Sequence, residues 1–557
     1  MERCPTLVIA GTHSGSGKTS LTLGLIRMLA RRGLAVQTFK AGPDFLDPTY
    51  LALASGRPCY NLDGWMSGKE YVCRLFGQAA ADADCALVEG VMGLYDGADT
   101  ATDEGSTAQI ARWLGAPVLL VVNVHGMGRS VAALVKGFVD FAADLRFAGV
   151  VANQCGSERH TAWLADSLSA AGLPPLVGGI PRGAFPKLAS RHLGLVTADG
   201  RLLPETVLDA LADALERHIS IGALFPDLPE RTLSTPISHD AEVQAEAAPS
   251  VRAEMTQHSP RRATLFPESS DDINPAAINV NTVIPAKAGI QNRTRCRIKA
   301  CPGPDPGSGM TTFDVFACGS NKRAASPVLF PAAVTREIGA GPGGLRIGVA
   351  WDSAFHFYYE DLFDALAAAG CETVFFSPLS DRRLPERISG LYLGGGYPEA
   401  HAPALAANGE LLAAIQDYAA SGGPLYAECG GLMYLSRGLL TEDGCFHSFL
   451  GILPARTRML SAKKALGYVE VTLAADSLWG RCGDAFRGHE FHYSELIDDP
   501  AADPSWRTVY ALKRRRSETV EKEGYQKGAV LASYTHLAYA ARPAAIEHFI
   551  NHCGGTP

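Results

Sequence analysis

The stretch Gly11-Thr-His-Ser-Gly-Ser-Gly-Lys-Thr-Ser20 follows the apolar run Thr6-Leu-Val-Ile-Ala10 and precedes an apolar-periodic segment through Leu21, Leu25, Met28 and Leu29. A short buried strand, a glycine-rich turn and a helix form the context that a phosphate-binding loop requires. Glycines at 11, 15 and 17 let the backbone curl so that its N–H groups point inward at an anion, and the helix N-terminus adds partial positive charge. Lys18 would reach the outer phosphates, Thr19 would offer its hydroxyl to Mg²⁺, and Ser20 closes the loop. Five residues separate Gly11 from Gly17-Lys18, where the usual pattern has four, so the loop is a variant. The chain is expected to bind a nucleoside triphosphate.

At 557 residues the chain is too long for one core, and a prior of about 150 residues per domain suggests two to four domains. A formal net charge of −8 argues against a nucleic-acid partner. The 13 cysteines are scattered without paired spacing, and Cys4, Cys59, Cys85, Cys155, Cys371 and Cys429 lie in or beside apolar segments, as reduced thiols do. No apolar run approaches the roughly 20 residues of a membrane span, and Met1-Glu-Arg-Cys-Pro leads directly into the first strand. The expectation is a cytoplasmic protein with no membrane partner, and a homodimer is left open.

Further short apolar runs follow at Ala35–Phe39, Cys85–Glu89, Pro117–Val122 and Ala148–Ala152, separated by helical patterns such as Thr107–Leu114 and Val131–Leu145. Strands alternating with helices predict an α/β fold with a doubly wound, mainly parallel sheet over residues 1–225. Ligands on such a sheet sit at the carboxyl ends of its strands. The second strand ends in Lys40-Ala-Gly-Pro-Asp-Phe-Leu-Asp-Pro48, presenting Lys40, Asp44 and Asp47. Cys85–Glu89 ends in Glu89-Gly-Val-Met-Gly-Leu-Tyr-Asp-Gly97, presenting Glu89 and Asp96. A carboxylate ending a buried strand needs a partner, so Glu89 is a candidate Mg²⁺ ligand together with Thr19 and Asp44. Asp47 and Asp96 are candidates for positioning a second substrate, although Asp beside Pro or Gly also suits a plain turn.

Residues 226–343 are rich in Ser, Thr, Pro and Ala and lack sustained periodicity, which predicts a long, mostly disordered linker. Cys296, Cys301 and Cys318 within it lack the spacing of a metal site. A second strand-and-helix series, again expected as a doubly wound sheet, occupies 344–557 with runs at Leu345–Ala350, Glu372–Phe376, Gly390–Leu393 and Pro424–Ala427. The last leads into Glu428-Cys-Gly-Gly-Leu-Met-Tyr434, the form of a nucleophile elbow that exposes the Cys429 sulfur. Leu393-Gly-Gly-Gly-Tyr-Pro-Glu399 could offer backbone N–H groups to an oxyanion, and His536, after the run Ala529–Tyr534, is a candidate base. The charged run Lys513–Glu523 reads as a solvated hairpin loop.

Several of these segments together resemble one family. The loop 11–20, the 40–48 segment, Asn61-Leu-Asp-Gly-Trp65, the 88–97 segment and Leu188-Ala-Ser-Arg-His-Leu-Gly-Leu195 are similar to cobyrinic acid a,c-diamide synthases, whose amino-terminal domain is related to dethiobiotin synthetase. The second half, including Gly488-His-Glu-Phe-His-Tyr-Ser494, resembles the class I glutamine amidotransferase domain of cobyrinic and cobyric acid synthases. The resemblance implies ATP- and glutamine-dependent amidation of corrin side-chain carboxylates through acyl phosphates, in cobalamin biosynthesis. It implies Cys429 as nucleophile, His536 as proton shuttle, oxyanion contacts from Gly395, Gly396 and Gly430, a phosphate contact from Lys40, and an adenine contact from Asn153. Three positions depart from the family pattern: Ala538 where class I enzymes commonly carry Glu, Leu51 in place of His, and Asn123 in place of Asp. The first leaves the group that orients His536 unidentified. Cobyric acid synthase, a nickel-tetrapyrrole amidase and a phosphate-loop switch ATPase stand as rival readings; the last needs no Cys429 or His536.

Overall fold

The central strand of the first sheet, Thr6–Gly11, is apolar because it is covered on both faces; Leu7, Val8 and Ile9 have no exposed surface. In the computed structural model it pairs in parallel with Cys85–Glu89 on one side and Val118–Asn123 on the other. The description covers residues 4–188, 190–191, 194–195, 203–225 and 344–554. The linker expected at 226–343, with its three cysteines, lies outside them, as does part of the 188–195 segment.

Seven strands stand in the order Cys59–Leu62, Val36–Ala41, Cys85–Glu89, Thr6–Gly11, Val118–Asn123, Phe147–Cys155, Leu176–Pro181, all parallel. Helices Lys18–Ala30, Leu46–Ser55 and Glu205–His218 cover one face. Helices Lys69–Ala79, Thr107–Leu114, Ser130–Phe141 and Glu158–Ala170 cover the other. The doubly wound sheet is as the alternation predicts. Its two edge strands, Cys59–Leu62 and Leu176–Pro181, escape the sequence reading because one is only four residues long and the other is diluted by Gly178, Gly179 and Pro181.

The second sheet is parallel through Glu372–Phe376, Arg346–Ala350, Gly390–Leu393, Leu425–Glu428 and Val530–Ser533. It then continues antiparallel through Val520–Lys527, Arg507–Arg514, Ala465–Leu473, Ala485–His492 and His536–Leu537. This antiparallel half was not foreseen: its strands alternate exposed and buried residues instead of forming solid apolar runs. No helix among the described residues is long and apolar enough to cross a membrane.

Both sheets belong to one compact unit. The Asn61–Trp65 segment explains much of how they join. Asp63 caps the short helix Gly64–Ser67 by accepting from Trp65 N and Met66 N, and its other oxygen accepts from Tyr468 of the second half at 2.7 Å. Trp65, 2% exposed, packs on Tyr468 with ring centroids 4.6 Å apart and lies under the guanidinium groups of Arg487 and Arg515. Tyr60 and Tyr71 donate to Asp364 and Asp361, each at 2.7 Å. Arg515 also pairs with Asp99 and Glu104, so the charged run Lys513–Glu523 is a hairpin as expected but is not wholly solvated. Trp65→Ala removes the largest apolar group of this junction. A destabilisation of about 3–5 kcal/mol is expected, read as a lowered urea midpoint.

Candidate active site

The candidate site residues of the first half lie at or just beyond the carboxyl ends of parallel strands. Gly15 and Gly17 adopt φ of +81° and +104°, which only glycine tolerates easily, and the helix Lys18–Ala30 starts directly after them. A Cβ on Gly11 would lie 2.2 Å from Ser16 Oγ, so the loop closes tightly on itself. Lys18 donates to the Met92 carbonyl at 2.6 Å, and burial and the nearby Lys40 charge lower its pKa. Asp96 accepts from Gly93 N at 2.8 Å, shaping the loop that receives Lys18. Asn153 does not merely edge the site: its Nδ2 donates to Ser16 O at 2.9 Å and its Oδ1 accepts from Gln154 N. In this structure it braces the phosphate loop from behind.

Register sets Lys40 beside Glu89, since the two are direct partners on adjacent strands. Lys40 is 2% exposed and donates to Glu89 Oε1 at 3.0 Å and to Asp47, with Asp44 Oδ2 at 3.8 Å. Burial would push the ammonium pKa down, but the three carboxylates outweigh it and raise it. Burial and the Asp47 charge raise the Asp44 carboxyl, whereas Lys40 overcomes burial at Asp47 and lowers it. Glu89 also accepts from Thr19 Oγ1 at 2.7 Å. Its second oxygen, Oε2, is buried and has no hydrogen-bond partner. A buried carboxylate oxygen left open beside a threonine hydroxyl and a phosphate loop fits Mg²⁺, which takes oxygen ligands and keeps waters and phosphate oxygens. Among the described residues no group of three or more His, Cys, Asp or Glu could hold a metal by itself. Asn61, on the neighbouring strand, donates to the carbonyls of Gly42 and Asp44 and so holds this loop in place.

In the second half Cys429 follows the strand Leu425–Glu428 with φ +51° and ψ −101°, a strained conformation for a residue with a side chain. Gly431 allows this turn: a Cβ there would lie 2.0 Å from the Leu393 carbonyl. The 394–396 turn faces it, with Gly396 N only 3.0 Å from where a Gly430 Cβ would stand. A Cβ on Gly395 would come within 2.8 Å of His536 Cε1. Gly395, Gly396, Gly430, Cys429 and His536 therefore converge.

The group that orients His536 is Glu428. Its Oε1 accepts from His536 Nδ1 at 2.6 Å, and its Oε2 accepts from Tyr426 at 2.9 Å; both His536 and Glu428 are almost fully buried. Burial lowers the imidazolium pKa, but the Glu428 carboxylate and the Cys429 sulfur outweigh it and bring it up to about 10. A cysteine, a histidine and a carboxylate in this order can open a carboxamide by nucleophilic attack, with the histidine carrying the proton. Sequence reading quoted Glu428 without giving it a role. The signal was present, because a carboxylate ending an apolar strand demands a partner, as for Glu89.

Residues 7–196 match the CobQ/CobB/MinD/ParA nucleotide binding domain, and residues 346–544 match the CobB/CobQ-like glutamine amidotransferase domain. The cobyrinate a,c-diamide synthase of Syntrophotalea carbinolica is 47% identical over 552 residues, 99% of both chains. The chain belongs to the cobyrinate a,c-diamide synthase family. Other members are a cobyrinate a,c-diamide synthase of Leptospira interrogans, 37% identical over 99% of both chains, and the hydrogenobyrinate a,c-diamide synthase of Streptomyces coelicolor, 37% identical over 99% of this chain and 97% of that one. Position 538 is alanine, and the carboxylate hydrogen-bonded to His536 is that of Glu428.

Two variants test these sites. Gly17→Ala places a Cβ 2.2 Å from Asn153 Nδ2 at a positive φ, a strain of about 1–3 kcal/mol in the loop. ADP formation should fall sharply while glutamine hydrolysis without ATP persists. Glu428→Gln keeps the shape but removes the charge that raises the His536 pKa. Glutamine hydrolysis should drop on the order of 100-fold. Its alkaline limb, where the imidazolium is lost, should move to lower pH, while activity with free ammonia is unchanged.

Proposed function

We propose that the chain is an ATP- and glutamine-dependent ligase that amidates the a and c carboxylates of cobyrinic or hydrogenobyrinic acid. The observation that carries this is full-length 47% identity to a cobyrinate a,c-diamide synthase in a chain whose phosphate loop and Cys429–His536–Glu428 group are both geometrically assembled. Residues 1–225 activate the carboxylate and residues 344–557 release ammonia.

ATP lies on the 11–20 loop with Lys18 and Lys40 offsetting phosphate charge. Thr19, Glu89 and Asp44 would hold Mg²⁺, which would neutralise the charge on the transferring phosphoryl group. Asp47 and Asp96 orient the corrin carboxylate, whose oxygen takes the γ-phosphoryl group and releases ADP. Cys429 attacks the glutamine carboxamide, the N–H groups near Gly395, Gly396 and Gly430 hold the oxyanion, and His536 passes its proton to the leaving ammonia. Water then frees glutamate from the cysteine. Ammonia displaces phosphate from the acyl phosphate, leaving the amide.

Mass spectrometry of purified protein with ATP, glutamine and either cobyrinic or hydrogenobyrinic acid should show two amide additions. Cys429→Ala should lose them with glutamine and regain them with ammonium. ATP hydrolysis with intact glutamine and an unchanged corrin would instead favour the switch ATPase.

A further inference from the structure

Phe45 belongs to the Asp44-Phe-Leu-Asp47 turn, yet its side chain serves neither the phosphate loop nor the lysine. It is 8% exposed and lies against the second half of the chain. Its ring centroid is 4.9 Å from that of His536, 5.5 Å from His489, 4.6 Å from Tyr359 and 5.1 Å from Phe357, the last nearly coplanar at 7°. His489 in turn stacks on His536 at 5.0 Å and shares a 3.0 Å hydrogen bond with Tyr359. Phe357 pairs with Gly395, beside the oxyanion turn.

One ring thus touches the imidazole that handles the ammonia proton, while the residue before it and the second residue after it pair with Lys40. Asn61 fixes the backbone leading into the ring by donating to the Gly42 and Asp44 carbonyls. An apolar ring packed this way excludes water from the contact between the sites and limits how the imidazole can tilt.

We propose that Phe45 is a positioning residue that seats His536 and seals the junction, so that ammonia released at Cys429 enters the amidation site and not solvent. This rests on the ligase reading above. The balance is one glutamine and one water giving glutamate, ammonia and a proton, and one ammonia and one acyl phosphate giving one amide and hydrogen phosphate. Tight sealing makes glutamate and amide appear in equal amounts; a leak makes glutamate exceed amide.

The test compares the full-length wild type with Phe45→Ala, Phe45→Leu and Phe45→Tyr. Glutamate, amide and ADP are counted in the same reaction, with glutamine and separately with saturating ammonium. Phe45→Ala should raise the glutamate-to-amide ratio by about threefold or more, with the ammonium-driven amide rate within about twofold of wild type. Phe45→Tyr should restore the wild-type ratio, and Phe45→Leu should fall between. The proposal is overturned if Phe45→Ala keeps the wild-type ratio, or if it loses ammonium-driven amidation while Phe45→Leu keeps an equal ratio, which would place Phe45 at the corrin and not at the junction. A wild type that amidates with neither nitrogen source would sink the ligase reading instead, and the two failures are told apart by the wild-type control.

Discussion

An ammonium group taken out of water must be paired, and Lys40 is such a group. Its partners are Glu89 from the adjacent strand, Asp44 from the turn that follows Val36–Ala41, and Asp47 from the first turn of the next helix. The pairing ties the loop's acidic side to the phosphate site. Because the chain between Asp44 and Asp47 is only two residues long, it also dictates where Phe45 points. A single buried charge therefore organises Glu89, Asp44 and Asp47 on one side and the contact with His536 on the other. Were Lys40 neutral or absent, three carboxylates would stand close together with nothing to offset their repulsion.

The glutamine site repeats the same solution with a different pair. Glu428 and Ser533 are register partners on adjacent parallel strands, so the residues just past them, Cys429 and His536, come close at the carboxyl ends of those strands. The strained backbone at Cys429 persists because the strand before it, the glycines after it and the Leu393 carbonyl leave no other path. Glu428 then does for His536 what Asp47 and Glu89 do for Lys40. In both halves a buried ionisable group is held in its charged form by a carboxylate that the strand delivers, and both sites owe their positions to strand ends.

The alternation of apolar strands and amphipathic helices made the first sheet legible, since most of its strands buried on both faces are runs of apolar residues, as in Thr6–Gly11, Cys85–Glu89 and Val118–Asn123. The edge strands and the antiparallel half of the second sheet did not announce themselves, because strands with one wet face or a glycine pair carry a weaker signal. The phosphate loop, Lys40, Glu89, Cys429 and His536 were legible for a different reason. Each is a polar residue at the end of an apolar run, where burial makes a polar group expensive unless it has a task. Glu428 meets the same criterion: it ends the buried strand Leu425–Glu428, and its partner His536 lies 108 positions further on.

That two α/β units would each present polar groups at strand ends, and which residues most of those groups are, follows from local properties of the chain: apolar runs, glycine turns and carboxylates that end them. Which groups meet is set by how the folded sheets and loops pack. Glu428 partners His536 across 108 positions, Asn153 braces Ser16 across 137, and Tyr468 reaches Asp63 across 405. Phe45 rests on His536 from the other half of the protein. Such pairings depend on sheet order and on how two surfaces fit. No local preference encodes either, since each residue's environment is supplied by segments that the chain reaches much later.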